Sequence, residues 1–188
     1  LIRGGGTGLI GPANSGNGAH SLTLGENQEL RSEDLTNGLI TTTLSNRGLV
    51  HAFGAGFTID FRNMGGGALP FVFNNGELRA TNAGTLIFDS LTVDNVGAGD
   101  ELGFFTLDPT SRLRFRNSTL MGGAIFGQGL LTVDGVCRFD GSAGGIQSDA
   151  TVRILSGSEL GLVGDFTNDG RVEFRQFLGQ RTSLSAMG

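Results

Sequence analysis

Apolar residues in this chain fall in short alternating pairs, not long runs. Between residues 111 and 175 the pairs Leu113-Arg-Phe115, Leu131-Thr-Val133, Val152-Arg-Ile154 and Val172-Glu-Phe174 recur at intervals of 18, 21 and 20 residues. A second set, Leu120, Phe139 and Leu160, and a third, Ile125, Ile146 and Phe166, keep nearly the same interval. Each spot has the period-2 alternation of a short strand and is followed by Gly, Asn or Asp. Three such spots in every 20 or so residues are what a three-sided parallel β-solenoid requires. Each coil lays one strand on each of three faces and stacks on its neighbour at about 4.8 Å, so equivalent side chains form columns along the axis. The fold class predicted is therefore all-β, a right-handed parallel β-helix of eight or so coils with about 20 residues in each. In one column Phe115, Val133, Ile154 and Phe174 are expected to point inward.

A 20-residue ruler extends the columns upstream. Face one would stack Leu30, Leu49, Phe71, Leu91, Leu113, Leu131, Val152 and Val172. Face two would stack Leu39, Phe57, Leu78, Val96, Leu120, Phe139 and Leu160. Face three would stack Leu24, Leu44, Met64, Leu86, Phe105, Ile125, Ile146 and Phe166. From Leu39 onward the segments LITTTL, FTIDF, LPFVF, LIFDSLTV and LGFFTL all read as strands, with Asn-Gly and Asp-Gly pairs as turns between them. Residues 1–36 read as a Gly-rich, polar N-terminal segment or as irregular first coils, and 37–188 as the solenoid. Within the first part, 26–36 is the only helix-like stretch, with Leu30 and Leu35 as its thin apolar content. Gly6-x-Gly8-x-x-Gly11 has the spacing of a dinucleotide fingerprint. It lacks the strand before it and the helix after it that the fingerprint needs, so a loop is the better reading.

Composition sharpens this picture. There are 34 glycines in 188 residues, 14 phenylalanines and neither Trp nor Tyr. Glycine at that level, without a collagen period, marks many turns between short strands. The net charge is −5, and all 13 basic residues are arginine, with no basic run. Nucleic-acid binding has nothing to rest on. No apolar run approaches a membrane-spanning length. The single cysteine, Cys137, excludes an internal disulfide and stands in phase with Leu131, Val133 and Phe139, so it reads as a small buried apolar residue. The chain opens on Leu1 without an initiator Met, which suggests a processed product or a piece of something longer.

The turns repeat as well: Phe61-Arg-Asn-Met-Gly-Gly-Gly-Ala-Leu69, Phe115-Arg-Asn-Ser-Thr-Leu-Met-Gly-Gly-Ala-Ile125 and Phe139-Asp-Gly-Ser-Ala-Gly-Gly-Ile146. The pairing of Phe…Asn with Gly-Gly-Ala-Ile resembles the short repeats of polymorphic outer-membrane proteins. More loosely the chain is similar to the β-helices of autotransporter passengers and filamentous-haemagglutinin-type adhesins. That resemblance implies a secreted or surface-displayed β-helix and no active site.

Candidate chemistry is sparse. Asp89, Asp108, Asp149 and Asp169, with Gln128 between them, each fall three residues past a third-face apolar position. If the ruler holds they form an acidic file, with Asp89/Asp108 and Asp149/Asp169 as adjacent pairs. Paired carboxylates one coil apart repel each other or take up a cation such as Ca²⁺, whereas isolated ones serve as turn residues that accept backbone N–H bonds. Arg112, Arg114 and Arg116 alternate with Leu113 and Phe115 and so point outward. Stacking would put Arg114 over Thr132, Arg116 by Asp134 and Arg153 over Glu173. These arginines serve either cross-coil pairing or the grip of an anionic glycan. His20 and His51 have no histidine or carboxylate within a few residues to support a metal or triad reading. Gly97-Ala-Gly-Asp-Glu101 half resembles a calcium-binding nonapeptide and occurs once. Asn117-Ser-Thr has the form of a glycosylation sequon. No catalytic motif and no cofactor site stands out.

The function expected is that of a structural or adhesive extracellular solenoid, a rod that assembles end to end with copies of itself or forms part of a longer surface fibre. The alternative is a carbohydrate-binding or carbohydrate-cleaving β-helix. An ice-binding face would need a regular Thr array, and Thr41-Thr-Thr43 is the only cluster.

Overall fold

The computed structural model describes residues 2–4, 8–10, 21–32, 38–63, 71–97 and 102–187. Within them the chain is all strand and turn, wound as a parallel β-solenoid of about seven turns. Coil by coil the strands are β1 (Ile2–Gly4), β2 (Gly8–Ile10) and β3 (Ser21–Leu24); β4 (Glu29–Ser32), β5 (Gly38–Ile40) and β6 (Thr43–Asn46); β7 (Leu49–Phe53), β8 (Thr58–Arg62) and β9 (Phe71–Asn74). Next come β10 (Glu77–Thr81), β11 (Thr85–Asp89) and β12 (Thr92–Asp94), then β13 (Phe104–Leu107), β14 (Arg112–Arg116) and β15 (Thr119–Met121). The last coils hold β16 (Gly123–Phe126), β17 (Leu130–Asp134), β18 (Val136–Ser148), β19 (Thr151–Ile154), β20 (Glu159–Asn168), β21 (Val172–Phe174) and β22 (Ser183–Met187).

Face one carries β2, β5, β8, β11, β14, β17, β19 and β21 in that order. Face two runs from β3 to β22 and face three from β1 to the end of β20; β18 and β20 each turn the corner between these two faces. Of the N-terminal segment, β1 to β4 already pair into the sheets. The helix-like stretch resolves into strand β4 over its described part, with residues 33–36 outside the described residues. Thin apolar content could not carry a helix, and alternate residues Leu30 and Ser32 turn inward instead.

Alternation builds the core. On face one Ile40, Phe61, Phe88, Phe115, Val133 and Ile154 lie in register and are all buried. The rings of Phe61 and Phe88 stack at 4.9 Å, and those of Phe88 and Phe115 at 5.3 Å. Phe105 from face three and Phe139 from face two meet the Phe115 ring edge-on, at 6.1 and 5.4 Å. The bias to phenylalanine fits this axis. Tyr or Trp would bring an O–H or N–H that has no partner inside a dry stack of strands.

The downstream register is as the sequence predicts. Leu113, Leu131, Val152 and Val172 share one column, as do Phe115, Val133, Ile154 and Phe174. Phe105 stacks with Ile125, Leu120 with Phe139, and Ile146 with Phe166. Phe174 is nonetheless 51% exposed and Val172 39%, because β21 is the last strand on its face.

Upstream the extended columns are wrong. Phe61, Phe88 and Phe115 follow one another at 27 residues, and Val50 and Leu78 at 28. The excess over 20 is about a third of a coil, so the ruler slips by one face per long coil. Thus Leu86 stacks on Leu113 in face one, Leu78 and Leu30 belong to face three, Leu44 and Leu24 to face two, and Leu39 to face one. Leu49 and Phe71 sit on the outward side of their strands. Met64 lies outside the described residues.

The corner between faces two and three holds a buried amide ladder that local sequence reading misses. Asn46 Nδ2 donates to Asn74 Oδ1 at 2.7 Å, and Asn74 Nδ2 donates to Asn95 Oδ1 at 2.9 Å. Glycines must follow there: a Cβ on Gly76 would fall 2.3 Å from the Gly48 carbonyl oxygen, and one on Gly103 1.9 Å from that of Asn74. Asn-x-Gly at 46–48 and 74–76 is the signal, visible once the coil is known to be 28 residues long.

Candidate functional site: the charged face and the open end

Outward residues of face one carry the arginines. Arg62, Asp89, Arg116 and Asp134 occupy one register position on four successive strands, β8, β11, β14 and β17, and alternate in sign. Arg62 Nε lies 3.6 Å from Asp89, Arg116 Nη1 3.2 Å from Asp89, and Arg116 Nε 3.0 Å from Asp134. Arg114 also donates to Asp134, and Arg62 Nη2 donates to Asp60 at 2.6 Å. Two coils further on, Arg153 Nε donates to Glu173 at 2.9 Å.

Burial alone would raise the Asp134 carboxyl, but bonds from Arg114 and Arg116 outweigh it and hold the group below its ordinary range. Arg116 is raised in turn, chiefly by its bond to Asp134. Asp60 goes the other way, because desolvation outweighs its Arg62 partner. Of the four predicted arginines, Arg114, Arg116 and Arg153 are therefore engaged in ion pairs with the neighbours the stacking implies, while Arg112 is exposed at the start of β14. Partly exposed pairs of this kind contribute from a few tenths to about 1 kcal/mol each.

The acidic file does not form as drawn. Asp89 ends a strand of face one and belongs to the arginine ladder, whereas Asp108, Asp149 and Asp169 follow strands of face three, at the opposite edge of face one. Asp89 and Asp108 are thus not stacked. The ruler slip that misplaced Leu86 misplaced Asp89 with it. Asp108 is a turn residue: it accepts from the Asn82 amide, the Thr110 amide and hydroxyl, and the Ser111 hydroxyl. Burial pushes its carboxyl up, but these donors prevail and bring it down to about 2. Asp149 and Asp169 do sit at one corner in successive coils, their amides bonded to the Ile125 and Ser148 carbonyls. Among the described residues, no three His, Cys, Asp or Glu side chains gather as a metal site. The calcium-like Gly97–Glu101 segment falls, beyond Gly97, outside the described residues.

His51 has partners that the sequence did not disclose. Its Nε2 lies 2.8 Å from Thr81 Oγ1, and its Nδ1 lies 3.5 Å from Glu29 Oε1. The three residues stand on three adjacent strands, β10, β7 and β4, far apart in the chain. Burial lowers the His51 pKa, with Arg31 and Arg79, its register neighbours, adding to the effect. Hydroxyl, imidazole and carboxylate come in the order of a nucleophilic triad. The amides that follow Thr81 are already used, however: Asn82 N–H by Asp108 and Ala83 N–H by Thr110. No pair of free donors remains there for an oxyanion. Cys137 is buried between strands with its thiol raised by desolvation, as its phase implies.

At the C-terminal end β21, β22 and the last residues of β20 are the outermost strands of their faces. Val172, Phe174 and Leu184 are exposed to 39, 51 and 42%. One coil earlier their register partners Val152, Ile154 and Leu160 are at 1, 0 and 1%. Among the described residues no helix is long and apolar enough to cross a membrane. Comparison with known protein families, with curated proteins and with solved structures finds no match for this chain.

Proposed function

We propose that this chain is a structural, adhesive β-solenoid displayed outside the cell, a rigid rod that joins copies of itself end to end or forms part of a longer surface fibre. One observation carries the reading. The terminal coil repeats the register of the coils beneath it, yet its inward side chains Val172, Phe174 and Leu184 are uncovered. One more coil of the same geometry would bury them as Val152, Ile154 and Leu160 are buried. The strands at this end also present unpaired N–H and C=O groups, which template further pairing. Lysine, a common guard of such edges, is absent from the chain. All inter-coil pairings are parallel, so a copy docks with its first coil, β1 to β3, on β21, β22 and the end of β20. Such a head-to-tail contact is heterologous and grows an open filament. Surface display is supported by the resemblance of the 115–125 turn to surface adhesin repeats. Those residues have structural work in this chain: Phe115 and Ile125 are core, and Asn117, Gly122 and Gly123 take the positive φ of the corners.

Sedimentation of the purified chain over a wide concentration range, with electron microscopy, tests assembly. Concentration-dependent growth into rods is expected, and Phe174→Asp should abolish it while leaving the circular dichroism unchanged. A single monomeric species at every concentration, with no rods, would overturn self-assembly.

A further inference from the structure

Face three carries a groove of about 460 Å³, within the range of roughly 300–1,000 Å³ usual for small-ligand sites. Its origin is in the outward file Glu77, Phe104, Ala124, Gln147, Thr167, one residue per coil in strict register. Ala124 is the small member between Phe104 and Gln147 and leaves a dip. Phe126, two residues along the same strand, stands beside the dip and is 44% exposed. Its ring meets Phe104 edge-to-face at 5.8 Å. On the opposite side the register of β18 shifts between Gly141 and Ile146, which pushes Gly144 and Gly145 out as a wall facing Leu102. The floor is bare backbone at Gly103 and Gly123, where a side chain cannot fit: a Cβ on Gly123 would fall 2.6 Å from that of Asn95.

Ligand chemistry follows from what lines this groove. At one end are two rings held rigid by each other. At the other, in adjacent coils, are an amide, a hydroxyl and a carboxylate: Gln147, Thr167 and Asp165. Unlike the arginine ladder, these three side chains are exposed and hold no ion pair or hydrogen bond to another described residue. An extended peptide adding as a strand is ruled out here, because the strands beneath are paired on both sides. An anionic ligand is disfavoured, since the only charged lining residue is Asp165. A flat molecule with one apolar face and a rim of hydroxyls satisfies both ends.

We infer that this groove binds a neutral hexopyranose unit of a glycan, its C–H face against Phe104 and Phe126 and its hydroxyls toward Gln147, Thr167 and Asp165. This deepens the adhesive reading by naming its ligand class and stands apart from end-to-end assembly. Neutral gluco-, galacto- and manno-oligosaccharides are titrated into the chain, followed by saturation-transfer NMR, at concentrations where it sediments as a single species; an oligogalacturonate serves as the anionic counterpart. At least one neutral series should bind, and the uronate should bind more weakly. Phe126→Ala and Gln147→Ala should each weaken binding at least tenfold without changing the melting temperature. Phe73→Ala, which removes a ring 43% exposed but outside the groove, should leave binding unchanged. No binding by any neutral series, tighter binding of the uronate, or equal loss in Phe73→Ala overturns the inference. None of these outcomes bears on the sedimentation result.

Discussion

Phe115 and Phe174 stand in one column, three coils apart, and share the same inward orientation. Phe115 is wholly buried, with the Phe88 ring stacked on it and Phe105 and Phe139 against its edges; Phe174 is 51% exposed. Period-2 alternation decides which way a side chain points. Burial is decided by whether a coil lies on both sides of it, since a solenoid has contacts only between neighbours. The largest expected effect uses this difference. Phe115→Ala should cost about 3–5 kcal/mol, read as a shift of the urea midpoint at unchanged slope, whereas Phe174→Ala should cost under about 1 kcal/mol because the ring is half in water. If the two cost the same in dilute solution, Phe174 is covered after all and the end is not open.

The same contrast explains what could be read from the chain. Downstream of Phe105 the coils are close to 20 residues, so spacing alone places Leu113, Leu120, Ile125 and their partners, and with them the Arg116–Asp134 and Arg153–Glu173 pairs. Upstream, coils of 27 and 28 residues carry their extra length in corners such as that between Arg62 and Phe71. A corner tolerates insertion because it need not stack, so coil length is free to vary where apolar alternation is not. Without the right coil length, the Arg62–Asp89 pair, the asparagine ladder and the approach of Glu29 and Thr81 to His51 cannot be found, because each joins residues more than 20 apart. The groove on face three was invisible for a different reason. It arises from a small residue in an outward file, and outward positions obey no hydrophobic rule.

The amide ladder gives an effect of intermediate size. Asn74 is fully buried and bridges two coils, donating to Asn95 and accepting from Asn46. Asn74→Ala strips Asn46 Nδ2 and Asn95 Oδ1 of these bonds and should cost about 1–3 kcal/mol. Replacing an exposed amide, Gln128→Ala, should be near neutral. Equal losses in the two variants would mean that water reaches the ladder and that the corner is not dry.

The smallest effect compares the arginine ladder in its interior and at its end. Asp134 receives Arg114 and Arg116 on a partly buried strand, so Asp134→Asn should cost roughly 0.2–1 kcal/mol. Glu173, on the last strand of the face, is held low chiefly by its bond from Arg153, and Glu173→Gln should leave the urea midpoint where it was. The pH dependence has a definite sign. The folded-state pKa of Asp134 lies below its ordinary value, so its contribution is present above about pH 3.9 and is lost as pH falls through the folded value, where the native carboxylate finally takes up its proton. Wild type and Asp134→Asn should therefore differ near neutral pH and converge in acid. Raised ionic strength should narrow the gap in the same direction, because exposed pairs are screened. A gap that survives both acid and salt would mean that Asp134 acts by its shape or by hydrogen bonding, and that the ladder of alternating charges on face one is not what ties those coils together.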